Sequence, residues 1–70
     1  MIHRQPIGQI AGRRVDLLHA GDIVDDGRLK LILSVDDSNL YVRQLRIVDL
    51  DTGERSLWIF GVGESLPVLV

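Results

Sequence analysis

Residues 29–36 alternate: Leu29, Leu31, Leu33 and Val35 fall on one side, and Lys30, Ile32, Ser34 and Asp36 on the other. A period of two predicts a half-buried strand. Upstream, Gly21-Asp22 opens the apolar pair Ile23-Val24, and Asp26-Gly27 then reverses the chain. Asp-Gly between apolar runs is a strong hairpin signal, because both central residues of the favoured turn need positive φ. The polar run Asp36-Asp37-Ser38-Asn39 predicts the next turn, with Asn39 as its left-handed residue. Along 40–50 the phase breaks. Leu40 and Val42 begin on one face, Leu45 and Ile47 lie on the other, and Val48 and Leu50 return to the first. Such a break predicts a bulge or tight bend in this strand, or a strand covered on both faces. Asp51-Thr52-Gly53-Glu54 reads as a hairpin turn, Ser56-Leu57-Trp58-Ile59-Phe60 as a strand with bulky residues on both faces, and Gly61-Val62-Gly63 as a bend. Pro67 has no N–H, so the last strand lies at an edge or pairs on one side there.

These signals give about five strands, at 22–25, 29–36, 40–50, 55–60 and 66–70, and no long helical pattern. The fold class is all-β. Residues 15–18 suit one helical turn or a short strand. Residues 1–14 read as a basic N-terminal arm, irregular over 1–12 with a short strand near Ile7–Ile10, and residues 15–70 as a small β-barrel domain.

A 70-residue chain without cysteine must fold without disulfides or thiolate metal sites. Conformational entropy opposes folding by about 100 kcal/mol at roughly 1.5 kcal/mol per residue. Aliphatic side chains supply the opposing burial: Leu, Ile and Val exceed a third of the residues, whereas aromatics are limited to Tyr41, Trp58 and Phe60. A barrel this small has little interior, so some apolar side chains should reach the surface, where oligomerisation would cover them. No apolar run suits a signal peptide or a membrane span, which sets the expectation of a soluble, cytoplasmic protein.

The net charge of −2 argues against general affinity for nucleic acid. The charge is unevenly spread. Residues 1–14 carry Arg4, Arg13 and Arg14 with no acid, while the remainder is acidic. A basic arm can dock on phosphates, on an acidic partner, or on its own body.

Leu17-Leu18-x-x-Gly21-Asp22-x-Val24, the following Asp26-Gly27, the alternation ending at Val35, the Asp51-x-Gly53 hairpin and the terminal Pro67-Val68-x-Val70 together resemble the SH3-like small β-barrels, including the KOW and Tudor types. The resemblance spans about residues 15–70. The chain is also similar to short proteins of actinobacteria and their phages that share the Gly-Asp opening. That similarity is compatible with a phage-encoded protein, which would then work in the host cytoplasm. Barrels of this type bind proteins, RNA, DNA or modified peptides through loops or an open sheet edge, so the fold does not choose among them.

No catalytic, metal or cofactor constellation emerges. Asp51-Thr52-Gly53 matches the short signature of aspartic proteases, which share a proton between two carboxylates. A chain this short leaves little room for a cleft, and a turn accounts for the residues. The pairs Asp25-Asp26 and Asp36-Asp37, and Asp49 with Asp51, lack the shaped loop and bidentate glutamate that calcium needs. His19 stands between Asp16 and Asp22, as in a charge relay, with no nucleophile nearby in sequence. Gly61-x-Gly63 lacks the helix a phosphate loop requires.

The candidate binding residues are Tyr41, Trp58 and Phe60 with Arg43, Arg46 and Arg55, joined by Arg4, Arg13 and Arg14 of the arm. Aromatic and arginine side chains on one face of adjacent strands would form a protein hot spot or a base-stacking platform. A one-residue change of register inverts which side is exposed, and the spacing leaves that register open. The expectation is a non-enzymatic protein-interaction or self-assembly module, with a protein partner or other copies of itself. The alternative is a nucleic-acid-binding barrel that uses the basic arm and the strand arginines.

Overall fold

A computed structural model describes residues 9–70. The fold is all-β: β1 (Ile10–Arg14), β2 (Ile23–Asp25), β3 (Leu29–Asp36), β4 (Val42–Asp49), β5 (Arg55–Gly61) and β6 (Ser65–Leu69) form one antiparallel sheet in the order β1-β6-β2-β3-β4-β5. The sheet curls into a half-barrel, with β1 and β5 as its two edges. A single 3-10 turn, Val15–Leu17, links β1 to the Gly21-Asp22 turn, which decides for the helical turn over the short strand.

The core lies in the hollow of the curl. Val15, Leu18, Val24, Ile32, Leu45, Ile47 and Val68 are buried there, with Val35, Trp58, Phe60 and Leu66 packed against them. Directly opposed residues share a face in an antiparallel ladder, so the pairs Ile32↔Ile47, Val35↔Leu45 and Leu45↔Trp58 carry the core across β3, β4 and β5. The pair Val24↔Val68 joins β2 to β6.

Four local expectations change. Ile10–Arg14, assigned to the arm, is a strand: it pairs along β6 from Ile10↔Leu69 to Arg14↔Ser65. The part of the expected irregular arm before residue 9 lies outside the described residues. The bulge sits in β3 and not in the strand after it. The register runs Ile32↔Ile47 and then Ser34↔Arg46, which leaves Leu33 unopposed. Lys30 and Ile32 therefore face inward before the bulge and Val35 after it, while Leu29 and Leu33 are each 38% exposed. β4 is a regular strand. Leu40 and Tyr41 lie in the turn before it and Leu50 in the turn after it, so the broken phase of 40–50 marks strand ends. Finally, no residue other than glycine has positive φ among the described residues. Gly27 alone bends the β2–β3 turn, at φ +108°. Asn39 shapes the β3–β4 turn with its side chain, whose Oδ1 accepts the N–H of Tyr41 at 2.8 Å.

Pro67 matches its expected constraint. β6 is an inner strand, but it meets β2 only at Val24↔Val68, so at Pro67 itself the chain pairs only with β1 through Gly12.

Candidate interaction surface

β5 positions most of the candidate side chains, and alternation splits them between its two faces. Trp58 and Phe60 turn inward and meet edge to face, with centroids 5.7 Å apart and an interplanar angle of 88°. Lys30 Nζ sits 5.5 Å from the Trp58 ring centroid and bonds the carboxylate of Asp26. That bond, above all else, holds the Asp26 carboxyl below its ordinary pKa. Arg43 opposes Phe60 on the inner side and donates to the carbonyl of Asn39 at 2.6 Å.

Arg55, Leu57 and Ile59 turn outward. Leu57 is 53% and Ile59 59% exposed. Arg46 of β4 opposes Leu57, so Arg46 and Arg55 share this outer face. A shallow groove of about 280 Å³ runs between Leu33, Arg46, Arg55 and Leu57. Leu33, the unopposed residue of the β3 bulge, is one of its walls.

The aromatic and arginine residues therefore do not form one platform. Trp58, Phe60 and Arg43 belong to the hollow, and Arg46 and Arg55 belong to the opposite face. Tyr41 is 78% exposed in the β3–β4 turn. Arg13 lies 3.8 Å from Asp22 and Arg14 2.9 Å from Asp16, so these two cations are matched by acids of their own chain. Arg4 lies outside the described residues.

Leu57 and Ile59, which are not among the candidates read from the sequence, lie at the surface, as does Glu64. Their signal was the alternation of Arg55, Leu57 and Ile59 with Ser56, Trp58 and Phe60. Bulky side chains at both parities concealed which set was buried. Glu64 reaches back across the bend, and its Oε2 accepts the N–H of Gly61 at 2.6 Å.

The acidic motifs work within turns. Asp22 Oδ2 accepts the backbone N–H of His19 at 2.9 Å, which closes that turn through the main chain and leaves the imidazole aside. Asp49, only 7% exposed, takes the N–H groups of Asp51 and Thr52 and the guanidinium of Arg28 at 3.5 Å. The Asp51 N–H is the main reason its carboxyl sits below the ordinary pKa, and burial works against that effect. Among the described residues, no three histidine or carboxylate side chains converge as metal ligands would, and no helix is long and apolar enough to cross a membrane.

No protein-family model matches the chain, and no curated protein matches its sequence.

Proposed function

We propose that this chain is a non-enzymatic protein-interaction module that assembles with copies of itself through β5. One observation carries the reading: Leu57 and Ile59 stand more than half exposed, at 53% and 59%, on a strand whose outer edge has no neighbour in the sheet among the described residues. An apolar edge strand is a template for pairing with another chain, and stable proteins seldom leave one uncovered. The curled sheet stops at β5, so a strand added there continues the curl.

The nucleic-acid reading has weaker support. Its platform needs exposed aromatic and basic groups on one face; Arg43 does share the inner face with Trp58 and Phe60, but those rings pack against the core, and Arg46 and Arg55 lie on the opposite face. Arg13 and Arg14 already lie against Asp22 and Asp16.

Light scattering at low and high salt tests the reading. The expected result is a mass that is a multiple of the 7.8 kDa chain and that persists at high salt, because apolar burial is not screened. A Leu57→Lys variant should run as a monomer. A wild-type monomer at all concentrations would overturn the proposal. Steeply salt-dependent binding to DNA or RNA by that monomer would favour the alternative.

A further inference from the structure

The hydrogen-bonding phase of β5 is set at both ends. The N–H of Asp49 donates to the carbonyl of Glu54 at 2.8 Å, and the N–H of Val62 donates to the carbonyl of Tyr41 at 3.0 Å. Bonded pairs recur at every second residue of an antiparallel ladder. Ser56, Trp58 and Phe60 therefore turn their backbone groups toward β4, opposite Ile47, Leu45 and Arg43. Arg55, Leu57, Ile59 and Gly61 turn theirs toward the free edge, and these same residues project to the outer face.

One edge group is already occupied: the N–H of Gly61 donates to Glu64 Oε2. That carboxylate oxygen lies 3.6 Å from the point where a Cβ on Gly61 would project, which places it beside the outer face.

We infer that β5 pairs antiparallel with β5 of a second copy about a two-fold axis at Trp58, so that Leu57 of each chain opposes Ile59 of the other. The inference rests on the self-assembly reading and gives it a register. A two-fold axis between antiparallel strands keeps outer faces together, so it must pass through a residue and not between residues. Centred on Trp58, it sets Arg55 opposite Gly61 of the second copy, and the guanidinium meets the Glu64 carboxylate held there. Two symmetric ion pairs then flank the Leu57–Ile59 contacts. Centred on Leu57, the axis sets Arg55 against Ile59, with no acid opposite. Centred on Ile59, it sets Leu57 against Gly61 and wastes the apolar match.

The other free edge is a poorer match: along β1 the residues of edge-facing parity are Ile10, Gly12 and Arg14, which offer a single apolar side chain. Glu64 also limits the ladder, because it fills the N–H that would extend pairing beyond Ile59. An isologous contact that ends in this way closes a dimer and cannot propagate into a fibre.

Amide hydrogen exchange with variant mixing tests the register. In concentrated wild-type protein the Leu57 and Ile59 amides should exchange slowly, and dilution should release them while the Ser56, Trp58 and Phe60 amides stay protected. Arg55→Glu and Glu64→Arg should each weaken self-association by about tenfold, since each reverses one member of both exposed ion pairs. An equimolar mixture should recover wild-type affinity, because both ion pairs reform in the mixed dimer. Ile59→Pro should abolish assembly while keeping the strand spectrum, as its missing N–H faces the edge and not β4. If Ile59→Pro fails to fold, the charge mixture decides. A wild-type assembly whose Leu57 and Ile59 amides exchange freely, and whose mixture recovers nothing, overturns this register and leaves self-assembly through another face. A wild-type monomer overturns both.

Discussion

Asp49 Oδ1 accepts the backbone N–H of Asp51 at 2.8 Å, so the one buried carboxylate holds the turn that carries the exposed one. The same oxygen takes the N–H of Thr52 at 3.1 Å, and the carbonyl of Asp49 takes the N–H of Gly53 at 2.8 Å. Asp51-Thr52-Gly53 is thus the tip of the β4–β5 hairpin, and its aspartate is a solvated turn residue. Asp49→Ala strands those N–H groups and should lower the melting temperature by about 5 °C, whereas Asp51→Asn should leave it nearly unchanged. Thermal melts followed by circular dichroism separate the two; equal losses would show that the turn is not organised by Asp49.

Three aspartates share a response to acid. Asp26 is held below the ordinary value of 3.8 chiefly by the Lys30 side chain, Asp36 chiefly by the N–H of Ser38, and Asp49 chiefly by the N–H of Asp51. A carboxyl with a depressed folded-state pKa contributes stability that is fully present above its unfolded value. That contribution is lost as pH falls through the folded value. Urea midpoints should therefore be flat from neutral pH down to about 5 and fall below about 4. Lys30→Met removes the main cause at Asp26 and should shallow that fall. A midpoint that rises on acidification would contradict the sign.

The core is narrow enough for one side chain to decide folding. Leu45 is fully buried, and it opposes Val35 on one side and Trp58 on the other. Leu45→Ala should cost about 2–5 kcal/mol. A domain this size holds only about 3–5 kcal/mol in reserve, so the variant should be largely unfolded at 37 °C. Leu40→Ala, at a residue 81% exposed, should change stability by less than about 0.5 kcal/mol. Denaturant titration of the pair checks the contrast.

The all-β class and most strand positions were legible because hairpin turns and period-two runs are local signals. Gly27 and Gly53 both take the positive φ that their turns demand, at 108° and 75°. Strand β1 was not legible, since Ile10-Ala11-Gly12-Arg13-Arg14 has no alternation of its own. Its partner β6 makes it a strand, and that pairing spans most of the chain. The surface of β5 was hidden for a related reason. Leu57 and Trp58 are both apolar, and only the ladder to β4 decides which of them faces the hollow.

Leu33 shows the same limit most sharply, and it offers a direct test. The sequence places Leu29, Leu31, Leu33 and Val35 on one face, yet Ile32 is 1% exposed and Leu33 38%. The bulge reconciles an inward Ile32 with an inward Val35, which strict alternation cannot do. Deleting Leu33 would join Ile32, opposite Ile47, directly to Ser34, opposite Arg46. Every remaining side chain of β3 would keep its present face in a regular ladder. The deletion should therefore still unfold cooperatively, with a straighter β3, because a bulge supplies local bend and twist beyond the alternation. Deleting Ile32 removes a buried side chain from the core and should unfold the domain. If instead the Leu33 deletion collapses the fold while the Ile32 deletion is tolerated, the inward face of β3 is the leucine side, and the bulge has been placed wrongly.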